Sequence, residues 1–350
     1  MKTAAVTKIG NLRDPDESKR GKIELIDIEE QEVGDDDIRI KVAYCAICGS
    51  DPHTAEGAFG DRVPQTLGHE VSGVIEEIGK NATKKGLRIG DHIAGNFLHF
   101  CGTCYYCQNG QQQFCRNMPR RSSPGMAPSL VWNESQVYKL PEGVSLRHGC
   151  MLEPLSVAVR AADKVQAKPG SRVAISGGGP IGQLILQVLR LQGATSLTMI
   201  EPIAQRREQA KAFGAQYTID PVGQNVEDEA NRITGGLGYD IVCDVSGAPA
   251  AVGALPNITA MGGTLLYGAM YPVGYQMPFD LFTNCYRKEL TIKGLFLSPY
   301  TFPRAVQLMP HIVLDPFIVK SYPLEQVAEA FDTHLTGEYL KVLIRCNDLD

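Results

Sequence analysis

The sequence lacks the features that mark membrane-spanning, secreted and nucleic-acid-binding chains. No run reaches the roughly 18 apolar residues of a membrane-spanning helix, and the start has neither the apolar core nor the cleavage site of a signal peptide. The 34 Lys and Arg residues are outnumbered by 39 Asp and Glu residues and form no long basic stretch. A net charge of −5 argues against nucleic acid and anionic membranes as partners. We expect a cytoplasmic protein.

Internal repeats and low-complexity segments are also missing. With 350 residues, of which 43% are hydrophobic and 21% charged, the chain is long enough for roughly two globular domains. The ten cysteines are therefore not needed as disulfide staples, which belong to short, loop-rich secreted chains. Reduced thiols and bound metal are the better interpretation.

Four of these cysteines lie in one loop, "CGTCYYCQNGQQQFC", with two, two and seven residues between them. Neighbours this close rarely reach disulfide geometry, but four thiolates can surround one zinc ion. With no coordination position left for water, such a zinc is structural. The alternative is four free cysteines in a mobile loop. The spacing favours zinc, with four ligands: Cys101, Cys104, Cys107 and Cys115.

The pattern of predicted elements changes along the chain. The first 150 residues are rich in short β-like runs such as "IELIDI" and "EVSGVIEEIG", which predict a barrel-like β domain. From Ser171 onward, strand and helix patterns alternate, which predicts a doubly wound parallel sheet. The closing "YLKVLIRC" is a strand that could rejoin the first domain. The fold class is therefore α/β with a separate β-rich domain.

A glycine motif stands between a strand and a helix in the second domain. In "GGGPIG", the spacing G-x-G-x-x-G provides a tight turn, a close approach for a pyrophosphate and close helix packing. An acid, Glu201, follows the next strand 19 residues after Gly182 and is placed to bind ribose hydroxyls. Its charge favours NAD over NADP, although Arg206 and Arg207 could bind a 2′-phosphate. We expect cofactor contacts from Gly177, Gly179, Pro180, Ile181, Gly182, Glu201 and Arg206.

A dinucleotide that carries hydride needs a partner group that polarises the alcohol. Cys48, His69 and Glu153 are candidate ligands of a second zinc, which would keep one coordination position open. Spacing alone does not establish this site.

Together these motifs resemble the zinc-dependent medium-chain dehydrogenases, in the polyol, sorbitol and 2,3-butanediol dehydrogenase branch of the alcohol dehydrogenase superfamily. The resemblance spans nearly the whole chain through "CGSDPH", "GHEVSGVIEEIG", the four-cysteine loop, "LEPLSVAVRA", "SGGGPIG" and "LKVLI". It implies a GroES-like catalytic domain at 1–154, a Rossmann domain at 155–294 and a return to the catalytic domain at 295–350.

The resemblance also implies roles for single residues. Cys48, His69 and Glu153 match the ligands of a catalytic zinc, and Glu70 matches a neighbouring glutamate that supports or transiently binds the metal. Ser50 and His53 match a relay that takes the hydroxyl proton through the cofactor ribose to water. The implied reaction transfers hydride from a zinc-bound alkoxide to NAD.

Substrate and assembly are implied less directly. Glu153 favours polyols or vicinal diols, whereas Leu297 stands where sorbitol dehydrogenases carry an arginine, which argues against sorbitol. An amino alcohol substrate and a catalytically inactive structural member of the superfamily are the alternatives. Zinc-free reductase relatives lack these metal ligands.

The family forms dimers or tetramers through its cofactor domains, and we expect "GGTLLYGAM" to be the exposed edge strand.

Overall fold

A computed structural model describes residues 1–118 and 124–349. The chain divides into two compact units, Met1–Glu153 with Phe302–Asp350, and Pro154–Thr301. Residues 295–301 thus group with the second unit, although the sequence suggested that they begin the C-terminal return. The reason is local bonding, because Leu295 N–H donates to the Tyr267 carbonyl at 3.1 Å and the Ser156 hydroxyl donates to the Ser298 hydroxyl at 2.7 Å.

Strands are the main regular elements of the first unit and form the centre of the second. In chain order they are β1 (Lys2–Lys8), β2 (Lys22–Asp27), β3 (Asp37–Ala46), β4 (Gln65–Thr66), β5 (Glu70–Ile78), β6 (His92–Gly95), β7 (Ser129–Asn133), β8 (Val137–Lys139), β9 (Arg172–Ser176), β10 (Ser196–Ile200), β11 (Tyr217–Ile219), β12 (Tyr239–Asp244), β13 (Thr259–Tyr267), β14 (Thr291–Gly294), β15 (Ile318–Pro323) and β16 (Lys341–Arg345).

Most of the helices are short. They are α1 (Ser50–Ala55), α2 (Tyr105–Gln108), α3 (Leu146–Gly149), α4 (Leu152–Val165), α5 (Pro180–Leu191), α6 (Ala204–Ala212), α7 (Val226–Thr234), α8 (Pro249–Val252), α9 (Leu255–Ile258), α10 (Phe302–Leu308) and α11 (Val327–Thr336). A π-helical turn covers Phe282–Arg287. None of the helices within the described ranges has the length and apolar character needed to cross a bilayer.

The first unit is built around strand β3. This strand pairs antiparallel with β5, β7 and β16, and its side chains alternate between partly and fully buried before becoming fully buried. Such alternation is what a strand with one solvent-facing side produces. Strand β16 pairs Leu343 with Ala46, which confirms that the closing segment rejoins the first unit's sheet. Strands β1, β2 and β4 form a separate small sheet.

The second unit contains one parallel sheet of six strands in the order β11-β10-β9-β12-β13-β14. Numbered within the unit, this order is 3-2-1-4-5-6, that of a doubly wound dinucleotide-binding fold. The prediction that "GGTLLYGAM" is the edge strand is wrong, because β13 pairs with β12 on one side and β14 on the other. The edge is β14, because "KELTIKGLF" adds one further parallel strand beyond β13.

Candidate metal and cofactor sites

The four-cysteine loop folds so that its thiols converge. The sulfur atoms of Cys101, Cys104, Cys107 and Cys115 all lie within 4.8 Å of one another. Cys101 Sγ is 3.5 Å from Cys115 Sγ and 3.9 Å from Cys107 Sγ. Tetrahedral zinc with Zn–S bonds near 2.3 Å requires sulfur atoms about 3.8 Å apart. Both distances are close to this value, so the loop fits a structural zinc ion.

The surroundings of these thiols stabilise negative charge at one sulfur in particular. Contacts with Thr103 and the Cys104 N–H lower the pKa of Cys101 to about 5, whereas burial and the neighbouring thiols raise the pKa of Cys107 to about 12. Four thiols this close cannot all ionise unless a cation compensates their charge. A divalent metal that binds thiolates supplies that charge.

A second cluster lies where β3 leads into helix α1 and the loop before β5 ends. Ligand atoms of Cys48, His69 and Glu70 lie within 4.8 Å of one another. Glu70 is almost fully buried, whereas Cys48 and His69 are partly exposed. A thiol, an imidazole and a carboxylate are the ligand types of zinc sites that bind substrate. These residues fit a zinc ion, and the structure brings two of the three predicted ligands together.

Glu153, the third predicted ligand, is buried, with an exposure of 9%, but its carboxylate is not among the three ligand groups that lie within 4.8 Å of one another. Burial raises the pKa of Glu153 to about 7. Burial lowers the pKa of His69, but Cys48, Asp51 and Glu153 together raise it well above its usual value. Several acidic groups therefore converge on this imidazole, which is an environment suited to a cation. The role of Glu153 as a ligand stays a prediction.

Asp51 lies next to two residues of this cluster, Cys48 and His69. Its Oδ2 accepts the Cys48 backbone N–H at 2.9 Å, and its Oδ1 lies 3.7 Å from His69 Nδ1. The carboxylate is 3% exposed, and burial raises its pKa. Asp51 therefore holds the Cys48 backbone by a hydrogen bond and lies at ion-pair distance from the His69 ring, in agreement with a structural role.

Lys341 is a site residue that sequence reasoning missed. Its ammonium group lies 2.5 Å from both carboxylate oxygens of Glu70 and 3.2 Å from the Ile47 carbonyl oxygen. Lys341 and Glu70 are 3% and 1% exposed, so the ion pair is buried. The signal was a lysine inside the apolar strand pattern "YLKVLIRC", because a lysine buried in a sheet must have a partner.

The predicted relay residues share the short helix α1. Ser50 begins the helix and His53 lies three residues later, so their side chains occupy the same face. His53 Nδ1 is 3.1 Å from Glu56 Oε2, and its side chain is 44% exposed. Ser50 is half-buried, two residues after Cys48. The helix thus leads from the metal cluster to solvent.

The glycine motif folds as its spacing predicts. Gly177 has a φ of 103°, and a Cβ on Gly182 would lie 1.9 Å from the Gly177 carbonyl oxygen. A Cβ on Gly179 would meet nothing within 4 Å, and Gly179 precedes helix α5, which begins at Pro180 and Ile181. The backbone is therefore open at the helix N-terminus, the position at which doubly wound folds bind a pyrophosphate.

Glu201 follows β10 and lies against this turn. Its carboxylate accepts backbone N–H groups of Gly178 at 2.6 Å and Ile203 at 2.9 Å. Arg207 donates to the Glu201 carbonyl and lies 3.1 Å from Asp220 Oδ2. Arg206 lies in the first turn of α6, and its carbonyl oxygen accepts from Gln183.

Family models match both parts of the chain. Residues 34–142 match the alcohol dehydrogenase GroES-like domain, and residues 180–310 match the zinc-binding dehydrogenase domain. The D-arabitol-phosphate dehydrogenase of Enterococcus avium is 34% identical over 92% of this chain and 94% of its own length. The sorbitol dehydrogenase of Gallus gallus is 31% identical over 91% and 92% of the two chains.

Among solved structures, a candidate zinc-binding dehydrogenase of Sinorhizobium meliloti 1021, determined with NADP bound, has a TM-score of 0.89. It is 29% identical, and the match covers 99% of both chains. The predicted fold class and family are confirmed by these matches. The chain, with its two zinc-type clusters and its dinucleotide-binding turn, belongs to the zinc-dependent medium-chain dehydrogenases of the alcohol dehydrogenase superfamily.

Proposed function

We propose that this dehydrogenase oxidises a secondary hydroxyl of a polyol or vicinal diol, with NAD as the hydride acceptor. The observation that carries this proposal is the convergence of Cys48, His69 and Glu70 beside a helix that bears Ser50 and His53. Relatives named as arabitol-phosphate and sorbitol dehydrogenases support a polyhydroxylated substrate.

Cys48 and His69 would hold the catalytic zinc, with Glu153 as the third ligand and Glu70 as a neighbour that supports or replaces it. Zinc at this place supplies a Lewis acid that makes a hydroxyl group easier to deprotonate. Asp51 lies beside the His69 ring, with its Oδ1 3.7 Å from Nδ1, an ion-pair distance that adds negative charge next to this ligand. Lys341 neutralises Glu70, so that this carboxylate adds less negative charge to the cluster.

Ser50 and His53 would carry the substrate proton away. The Ser50 hydroxyl can accept a proton and donate its own, and the exposed imidazole of His53 can exchange with water. Glu56 lies 3.1 Å from His53 Nδ1 and orients the ring. In this arrangement the proton leaves along helix α1 toward solvent.

NAD is the cofactor that the residues around the glycine turn favour. The Glu201 carboxylate is held by two backbone N–H groups and would repel a 2′-phosphate while accepting ribose hydroxyls. The Arg207 guanidinium already contacts Asp220 and two carbonyl oxygens. Because these contacts occupy the Arg207 guanidinium, it is less available to bind a 2′-phosphate. This supports NAD, even though one solved relative holds NADP.

A substrate panel tests the proposed reaction. Purified zinc-loaded protein is mixed with NAD and with 2,3-butanediol, pentitols, sorbitol, an amino alcohol or ethanol, and NADH formation is followed. We expect the highest kcat/KM for a vicinal diol or pentitol, and a lower one for sorbitol because Leu297 cannot donate a hydrogen bond to a hydroxyl. Preference for the amino alcohol would assign a different substrate class. Two bound zinc ions with no turnover of any alcohol would indicate an inactive member of the superfamily.

We also propose a homo-oligomer and a cytoplasmic location. The edge strand β14 and the adjacent π-helical turn expose apolar side chains, among them Phe282 at 62%, Tyr286 at 77% and Ile292 at 44% exposure. We name Leu281, Phe282, Tyr286 and Ile292 the edge patch.

All ten cysteines are free, which suits a reducing compartment. Cell fractionation checks the location, and an extracellular product with paired cysteines would contradict it.

A further inference from the structure

The strand order of the second unit fixes where a dinucleotide crosses its sheet. Strands β9 and β12 are adjacent and parallel, and the chain leaves them in opposite directions along the sheet. Ligands of doubly wound sheets bind outside the carboxyl ends of the strands at this switch point. Glu201 and Gly179 mark the adenosine side, above β9 and β10. The nicotinamide half therefore belongs to the carboxyl ends of β12, β13 and β14.

A buried carboxylate lies at that end of β12. Asp244 is the last residue of the strand and is 0% exposed. Its Oδ1 accepts the Ser246 hydroxyl at 2.7 Å, and its Oδ2 accepts the Tyr271 phenol at 2.5 Å. Both donors are neutral hydroxyl groups on the segments that follow β12 and β13. Asp244, Ser246 and Tyr271 belong neither to the metal clusters nor to the proposed proton relay.

Further hydrogen bonds join the segment that follows β13 to the end of β12 and the segment after it. The Gly268 N–H donates to the Asp244 carbonyl at 2.9 Å, and the Tyr275 phenol donates to the Pro249 carbonyl at 3.1 Å. With the Tyr271 hydrogen bond, segment 268–275 is held to the β12 side at three points. The Tyr271 ring also packs edge-on against Tyr267, with 6.2 Å between centroids. An eight-residue segment without helix or strand is thereby fixed in one place.

A buried carboxylate is an expensive way to hold a loop. Removing it from water costs free energy that hydrogen bonds from two neutral hydroxyl groups and the Ser246 N–H only partly offset, and an apolar contact could hold the segment at lower cost. Burial and the Asp244 hydrogen bond raise the pKa of Tyr271, so the phenol remains a donor at neutral pH. Polar groups of this kind give a loop a defined position, which packing alone specifies less strictly.

We propose that the Asp244–Tyr271 hydrogen bond positions segment 268–275 against the nicotinamide half of the bound dinucleotide. This inference rests on the proposed NAD-dependent function. Tyr271 and Asp244 are positioning residues, since they act through the backbone of the segment. Losing the hydrogen bond loosens the segment and weakens those cofactor contacts that involve nicotinamide and its ribose, while the adenosine contacts at Glu201 and Gly179 remain.

The test compares two ligands on the zinc-loaded protein, NADH and ADP-ribose, which lacks nicotinamide. In Tyr271→Phe we expect the Kd for NADH to rise about tenfold, as for a lost hydrogen bond to a charged group, while the Kd for ADP-ribose changes less than about twofold. Tyr239→Phe is the matched control. It removes a buried phenol hydrogen bond, to Thr198 Oγ1 at 3.0 Å, from the first residue of the same strand. We expect both Kd values of this control to match the wild type.

A second variant keeps the test decisive if Tyr271→Phe folds poorly. Ser246→Ala removes the other donor to Asp244, and we expect a smaller but equally selective loss of NADH binding. A parallel loss of NADH and ADP-ribose would show a merely structural role and overturn the inference. Unchanged NADH binding in both variants would also overturn it. A wild-type protein that fails to bind NADH would instead contradict the proposed function.

Discussion

At the residue scale, the pair formed by Lys341 and Glu70 is the most demanding electrostatic feature of the first unit. Two opposite charges that are 3% and 1% exposed depend on each other, because neither can be solvated alone. In sequence they lie 271 positions apart. No local pattern connects them, which is why the sequence predicted Glu70 but assigned Lys341 no role.

Removing the lysine should therefore destabilise the protein strongly. For Lys341→Met we expect a loss of about 3 kcal/mol in the free energy of unfolding, since an unpaired carboxylate remains buried. Lys80→Met is the control, because it breaks an exposed ion pair to Asp35, 2.9 Å long with the lysine side chain 73% exposed, and should cost less than about 1 kcal/mol. Urea denaturation of the zinc-loaded proteins measures both. Equal losses in the two variants would mean that the buried pair contributes no more than a surface pair.

Glu201 should decide the choice between the two cofactors. In Glu201→Ala we expect kcat/KM for NAD to fall about tenfold and that for NADP to fall less or to rise, since the lost carboxylate binds ribose hydroxyls and repels a phosphate. Glu208→Ala removes an exposed acid of α6 that pairs with Lys211 and should leave the ratio unchanged. The measurement is initial rates with each cofactor. A ratio that stays at the wild-type value would remove Glu201 from cofactor selection.

His53 should tune proton release without being required for hydride transfer. We expect His53→Gln to slow alcohol oxidation about 100-fold at low pH and less at high pH, where water removes the proton more easily. His69→Ala should abolish turnover because a metal ligand is lost. His92→Gln, the same substitution at the exposed first residue of strand β6, serves as the control. Rates of alcohol oxidation measured against pH for the three variants test this prediction. A His53→Gln profile that overlays the wild type would exclude proton release through His53.

At the scale of elements, the four-cysteine loop could be predicted from spacing because its ligands are neighbours in sequence. Helix α5 and the preceding strand could also be predicted, since a glycine turn and an apolar periodicity mark them. The order of the strands could not. Residues 291–294 were recognisable as a strand, but nothing in "KELTIKGLF" states that it lies beyond β13. Strand order depends on crossovers between distant elements, which local patterns do not encode.

The loop should lose its metal as a unit. In Cys104→Ser we expect the zinc content to fall from two ions per chain to one, with lower thermal stability, because three remaining thiols form an incomplete site. The variant should still bind NADH, since the glycine turn lies in the other unit. Cys285→Ser, at an exposed cysteine outside the loop, should keep both ions. Elemental analysis gives the count, and two ions in Cys104→Ser would rule out a four-thiolate site.

At the scale of the whole molecule, the zinc-type clusters and the dinucleotide-binding turn lie in different units. The zinc-type clusters lie in residues 1–153, and the dinucleotide-binding turn lies in residues 154–301. Short motifs predicted the four-cysteine loop and the glycine turn, whereas the family resemblance was needed to imply the site at Cys48 and His69. The edge patch required the structure, since the sequence placed the sheet edge at "GGTLLYGAM", whereas β14 is the edge strand and Ile292 on it is 44% exposed.

The edge patch should therefore be where copies of this chain meet. An exposed parallel edge strand beside exposed aromatic side chains favours pairing with another sheet edge. We expect the wild type to have a solution mass at least twice the 38.1 kDa of one chain. Tyr286→Glu should shift it to a single chain, because a buried charge without a partner opposes association. Tyr105→Glu, at a tyrosine 69% exposed in the other unit, should leave the mass unchanged. Light scattering after size exclusion measures all three, and a wild-type monomer, or a Tyr286→Glu oligomer of wild-type mass, would place no interface at β14.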